Sequence, residues 1–447
     1  MKKLTVMEVI PEILVLFFIF TIGTTWGQTA QQWSDKGKKE AEAKNYDEAI
    51  KCFKKSIELD SDDAHAHCNL GLVYKQKGNV DEAIEEFKKA LAIGPDDADI
   101  HYHLGRAYGQ KRMLNEAIDE FNKVLAINPD DALAYFCIGN TYLWKRMIDE
   151  GIEAYKKGLA IKPDEAQAHS DLAWAYLQKR MFDEVIAEGE KALSINPDDT
   201  EAHYPLGRAY FEKRRFDEAI AEYEKAIALK PELAEPRCFL ARAYLEKGRF
   251  DEAASECMKA ITILPDYPIA HYVAGLTYYN QGKMDEAIAA YKKAIDLILA
   301  PDYPIFYYDL GRAFYKKGKI HEAISEYKNA IAMNPEKIAA YWQQQYERIE
   351  RLGVTVASKE AIAEYKKQRE FNPDYAEVYY SLGIAYHEDK KYDEAIDAYK
   401  KSLEIKPNNA AAYYGLGCAH IRKGHVIDGT SHLYNAALIY FKKESQE

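Results

Sequence analysis

The chain has 447 residues, 48% apolar and 30% charged, with a formal net charge of −12. That length exceeds a single compact core, so apolar burial must be shared among several units. The acidic balance argues against a nucleic-acid partner, which would want a basic stripe, and the intermixed charges describe a solvated surface.

The first segment differs from all that follows. Lys2 and Lys3 precede Ile13 to Ile22, a nearly pure apolar run. The run is about half the ~20 residues that span a bilayer, but it suits the core of a signal peptide. Residues 1–29 are expected to be a signal peptide cleaved after Gly27 or Ala30, or an N-terminal membrane anchor. Glu8 and Glu12 keep the anchor open, and no cysteine stands there to carry a lipid. The expected location is exported, periplasmic or extracellular, or membrane-tethered if the leader stays.

Beyond it, Pro95, Pro129, Pro163, Pro197, Pro231 and Pro265 are each 34 residues apart. Pro301, Pro335, Pro373 and Pro407 continue the series with intervals of 36, 34, 38 and 34. A fixed period of this kind predicts a solenoid, in which each unit touches only its neighbours. In register with Ala64, twelve copies run from residue 30 to 443, the first and last atypical. Each copy spells two helices. His101, Leu104, Gly105 and Tyr108 give the first helix its apolar face. Gly71, Gly105, Gly139, Gly207, Gly275, Gly311, Gly383 and Gly417 recur where a partner helix would crowd a side chain. Gly78, Gly248, Gly282 or Gly318 marks the turn. Asp81-Glu82 and Asp217-Glu218 open second helices, capping free N–H groups and favouring the positive dipole end; Lys88-Lys89 and Lys292-Lys293 stand near the negative end. Pro95-Asp96-Asp97 stops one helix and caps the next.

The spacing of Leu70-Gly71, Tyr74, Ala83, Phe87, Ala90 and Pro95 resembles the tetratricopeptide repeat (TPR). The resemblance implies an all-α, right-handed superhelical solenoid of tandem helix-turn-helix repeats. Its expected parts are an N-terminal array over 30–337, an irregular repeat over 338–375, and C-terminal repeats with a capping helix over 376–447. The irregular copy has four extra residues and reads Gln344-Gln345 for the Leu-Gly pair, its first helix running to about Leu352. A two-residue insertion falls near Ile298 to Ala300, and small residues Gly151, Gly158 and Gly189 replace larger ones in the fourth and fifth copies.

No catalytic constellation emerges. Gly275…Gly282-Lys283 and Gly311…Gly318-Lys319 lack the spacing and the Ser/Thr of a phosphate loop, His321-Glu322 has no second histidine one turn on, and no GxSxG occurs. The expectation is no enzyme, no cofactor and no metal. His67, His101, His169, His203 and His271 recur at the fourth position, where the family places a semi-buried aromatic, so imidazole packing is the expected role. Cys52, Cys68, Cys137, Cys238, Cys257 and Cys418 form no framework and read as small buried hydrophobes, with a Cys238–Cys257 bridge left open if the protein is exported.

By resemblance, the fifth and ninth positions of the first helices face a concave groove. There stand Tyr102 and Arg106, Phe136 and Asn140, Trp174, Tyr204 and Arg208, Arg242, Tyr272, and Tyr308 and Arg312. Positions twelve and thirteen add Leu143, Trp144 and Leu177. Aromatic bodies beside an arginine fork suit an extended peptide. Trp144 and Trp174 have two open roles, a ligand patch or filling over Gly151, Gly158 and Gly189. The Lys and Asn pattern of chaperone-tail clamps is lacking. The TPR arm of sugar-transferring enzymes is similar too, but the repeats leave no segment for a catalytic domain. The expected function is a non-catalytic scaffold for a protein or peptide, with membrane contact only through residues 1–29. A glycan- or small-ligand-binding helper of an envelope enzyme system is the alternative, and a self-assembling homo-oligomer a third reading.

Overall fold

The computed structural model describes residues 29–298, 303–333 and 374–444. Among them are 22 helices and no strand. The chain divides into two compact units, Met1–Asp164 and Glu165–Glu447.

The first unit holds α1 (Ala30–Glu42), α2 (Tyr46–Leu59), α3 (Ala64–Lys77) and α4 (Val80–Ile93). Then come α5 (Ala98–Gln110), α6 (Leu114–Ile127), α7 (Ala132–Trp144) and α8 (Ile148–Ile161). The second unit begins with α9 (Ala166–Gln178), α10 (Phe182–Ile195), α11 (Thr200–Glu212) and α12 (Phe216–Leu229). It continues with α13 (Ala234–Glu246), α14 (Phe250–Ile263), α15 (Pro268–Asn280) and α16 (Met284–Asp296). Next are α17 (Pro304–Lys316), α18 (Ile320–Ala332), α19 (Tyr375–Glu388) and α20 (Tyr392–Ile405). The last pair is α21 (Ala410–Arg422) and α22 (Val426–Glu444). Odd-numbered helices are the first of each pair.

The start of a first helix is written into its loop. The carboxylates of Asp63, Asp97, Asp131 and Asp199 accept hydrogen bonds from backbone N–H groups two or three residues on, satisfying donors that the helix leaves open. Second helices begin differently. Their preceding residues, such as Asn79 and Met113, make no side-chain cap. Asp81 and Glu82 lie inside the first turn and act on the helix dipole instead. Lys88 and Lys89 also depart from expectation. Helix α4 runs on to Ile93, so this pair stands more than a turn before the end, and Lys89 binds Glu86 at 2.7 Å. The turn between paired helices always needs a left-handed residue, which Gly78 (φ 93°) supplies in one copy and Arg214 (φ 60°) in another.

Packing explains the recurring glycine of the first helix. A Cβ on Gly207 would lie 2.7 Å from the Tyr223 ring, and one on Gly105 2.8 Å from Phe121. Tyr223 and Phe121 are buried, so the glycine lets the second helix press its ring against the first helix backbone. Within each unit, a second helix then packs on the first helix of the following pair, and first helices of neighbouring pairs also approach one another.

Helix α18 packs directly against α19 in this same way. The Tyr315 hydroxyl donates to Glu388 at 2.5 Å, and the Lys328 ammonium sits 5.5 Å over the Tyr386 ring. The pairs on either side of residues 334–373 are therefore neighbours in space. The expected irregular repeat at 338–375, and most of the insertion near Ile298, lie outside the described residues, as does the apolar run of residues 13–22. Among the described residues no helix is long and apolar enough to cross a membrane.

Candidate functional site

The fourth-position histidines are structural, and more specifically so than packing alone. Nδ1 of His67, His101, His169 and His203 lies 2.5–2.6 Å from a carboxylate oxygen of Glu86, Glu120, Glu188 and Glu222, respectively. Each glutamate also accepts from a lysine one turn on: Lys89, Lys123, Lys191 and Lys225. These clamps join the two helices of a pair. Burial pushes the Glu222 carboxyl up, but hydrogen bonds from His203 and Lys225 outweigh it and hold the group below the ordinary glutamate range. In α13 Arg237 replaces the histidine and reaches Glu256 at 3.0 Å.

The six cysteines are free thiols, and Cys238 and Cys257 are fully buried without a bridge. Burial pushes the Cys257 thiol up to about 12.

In the first unit, Arg106 is exposed on α5 with its guanidinium 5.8 Å from the half-buried Tyr102 ring. Phe136 is buried and would meet a Cβ on Gly158 at 2.4 Å. Leu143 covers Gly151 in the same manner, at 2.8 Å. Asn140 is half-buried on α7. Trp144 is 50% exposed at the end of α7, lies 3.5 Å from where a Cβ on Gly109 would be, and carries the Arg112 guanidinium 4.9 Å above its ring. The glycines at 151 and 158 are thus filled by Leu143 and Phe136.

In the second unit, Trp174 is half-buried against Tyr204 with ring centroids 5.3 Å apart, and its Nε1–H donates to the Glu201 carbonyl at 3.1 Å. Gly189 faces Leu206, so a tryptophan is not what fills that site either. Leu177 is half-buried at the end of α9. Tyr204 is buried, donating to Glu235 at 2.6 Å and accepting from Arg208 at 3.2 Å. The Arg208 guanidinium lies 3.9 Å over Phe239, and Arg242 lies 5.3 Å from the same ring and 5.1 Å from Phe211.

Further along, Tyr272 is buried, stacked on Phe306 at 4.2 Å, and donates to Asp309 at 2.7 Å. Arg312 donates to the other Asp309 oxygen at 2.8 Å and lies 4.9 Å over Tyr279 and 5.7 Å from Tyr308, itself buried. Burial raises the Asp309 carboxyl despite these bonds. Tyr204, Tyr272 and Tyr308 are therefore the floor of this part of the first-helix face, and Arg208, Arg242 and Arg312 lie upon it. Sequence reasoning missed Glu235 and Asp309, the carboxylates that fix this floor: Glu201 and Glu377 share the place of Glu235, and Asp35 and Asp171 that of Asp309, but neither place holds an acid in most copies.

A family model described as "TPR repeat" matches residues 37–78, 72–111, 113–144, 207–248, 241–282, 275–318, 311–343 and 359–390. Models described as "Tetratricopeptide repeat" match 376–409 and 180–224. No curated protein matches the chain. Among solved structures, MamA is 25% identical, covering 46% of this chain and 97% of its own, with a TM-score of 0.36. The APC/C Cut9–Hcn1 assembly is 14% identical over 94% of this chain and 95% of its own, with a TM-score of 0.47. Yeast Tom70 is 15% identical over 92% of each chain, with a TM-score of 0.39. At those scores the likenesses add no argument; the matched repeats and their paired helices carry it, and they support a protein-interaction scaffold. The chain belongs to the tetratricopeptide repeat family.

Proposed function

We propose that this protein is a non-catalytic adaptor that holds an acidic, extended protein segment against its first helices. The observation that carries this reading is the placing of Arg208, Arg242 and Arg312 in the second unit, with Arg106 placed alike in the first. All four stand at the ninth position of first helices, each beside aromatic rings, in a chain of net charge −12. An aromatic face holds a guanidinium flat at a gain of about 0.5–2 kcal/mol, and a planar fork suits carboxylate recognition. An acidic segment is the partner class that such positive charge selects on an otherwise acidic molecule. The export of this adaptor, or its tethering in the envelope, rests on the apolar run of residues 13–22.

Binding of fluorescent acidic and basic peptides of equal length tests the reading. Acidic peptides should bind, with affinity falling as salt rises. Arg242→Ala should weaken them about tenfold while leaving helicity and melting nearly unchanged. Equal affinity for both peptide charges, or unaltered binding by the variant, would overturn it.

A further inference from the structure

The last helix pair departs from the others at four positions. Its eleventh residue is His420, where nine other copies have Tyr or Phe, among them Tyr74, Tyr210 and Phe314. His425 precedes α22, at a place held elsewhere by Asn, Met, Lys or Arg. His432 stands where the second, third, fifth and sixth copies have the clamp glutamates Glu86, Glu120, Glu188 and Glu222. Asp428 completes the series. His425, Asp428 and His432 are spaced three and four residues apart and so share one face at the start of α22. That face meets His420 on α21.

The contacts make this more than a spacing. One ligand atom each from His420, His425 and Asp428 lies within 4.8 Å of the other two. The His420 ring is 5.9 Å from His425 and stacks on His432 at 5.3 Å. His432 stacks in turn on Tyr413 at 6.1 Å. Among the described residues, both ring nitrogens of His420 and Nδ1 of His432 are buried without a hydrogen-bond partner. Polar atoms buried in that condition are destabilising, and the clamps show how this fold satisfies a histidine whose role is structural.

We propose that His420, His425 and Asp428 form a binding site for a first-row transition-metal dication of the zinc class, with His432 packed behind His420 as a positioning residue. Two imidazoles and one carboxylate are a donor set for Zn²⁺, Ni²⁺ or Co²⁺; the nitrogen donors disfavour Mg²⁺ and Ca²⁺. Ligand atoms around a tetrahedral zinc stand roughly 3.4 Å apart. The three groups close to that spacing by side-chain rotation, since His425 and Asp428 are exposed and adjoin the Gly424 turn. The site would staple α21 to α22 in the terminal repeat, whose outer face no further described repeat covers and which leaves Ile427, Tyr434 and Tyr440 exposed. Metal bound to the folded state stabilises that repeat by mass action.

Calorimetric titration of the full chain with Zn²⁺ and separately with Mg²⁺ is the test. One equivalent of Zn²⁺ should bind and raise the first melting transition by several degrees, and Mg²⁺ should do neither. His425→Ala and Asp428→Asn alter exposed groups and should leave the metal-free melting unchanged while each weakens Zn²⁺ at least tenfold. Co²⁺ absorption in the d–d region should appear in the wild type and vanish in His425→Ala. No Zn²⁺ binding, or binding untouched by both variants, would overturn the site.

Discussion

Gly207 and Gly78 are both glycines required by the repeat, for opposite physical reasons. At Gly207 the backbone is helical and the obstacle is the Tyr223 ring, so Gly207→Ala gains helix propensity yet overpacks a buried contact. A net loss of about 1–3 kcal/mol is expected in urea unfolding. A Cβ on Gly78 would meet nothing within 4 Å, and there the cost of Gly78→Ala is backbone alone, about 1 kcal/mol at φ 93°. The tryptophans separate in the same experiment. Trp174 packs on Tyr204 and donates a hydrogen bond, so Trp174→Ala should cost roughly 2 kcal/mol. Trp144 is half exposed, and Trp144→Ala should cost less than about 1 kcal/mol. Equal losses would contradict the distinct settings described for them. The glycine and the aromatic it faces were both visible in the sequence because they recur every 34 residues. Which residue fills the space beside Gly151 or Gly158 was not, since Leu143 and Phe136 reach those sites by rotamer, which periodicity does not encode.

At the scale of the element, four helix pairs are held by a His–Glu–Lys clamp as well as by apolar contact. Glu222 is held below the ordinary glutamate range in the folded state, so it favours the unfolded chain's protonation. Its contribution is therefore full above the unfolded value of about 4.3 and is lost as pH falls through the lower folded value. Thermal melting between pH 7 and pH 3 should show this loss in the wild type. Glu222→Gln should lower stability at pH 7 by about 2 kcal/mol, with a shallower fall on acidification. An unchanged acid profile would remove the clamp from the account. The histidine column was legible in the sequence, but its partner lies 19 residues away on another helix and was missed, although His and Glu recur together in four copies. The Lys88-Lys89 pair was misplaced for a related reason: helix α4 extends past it, and Lys89 serves a glutamate rather than the helix end.

For the molecule as a whole, the repeat period made the helix pairs of the described residues legible, because the apolar pattern, glycines and turns of a copy agree on the same hairpin. Function is less legible, since a repeat scaffold does not encode its cargo in its period. The face itself was partly readable: tyrosine and arginine at fixed positions are plain in the sequence, but only packing shows that Tyr204, Tyr272 and Tyr308 are buried as a floor. The proposed binding therefore rests mainly on the arginines. Photo-crosslinking reads this most directly. Benzoylphenylalanine placed at Arg242, on a first helix of the second unit, should crosslink an acidic protein from the native host, and an acidic peptide should compete it away. The same probe at Lys123 or Lys259, on second helices, should not. A partner captured equally from both faces, or only from the second helices, would contradict the assignment of the first-helix face as the binding surface.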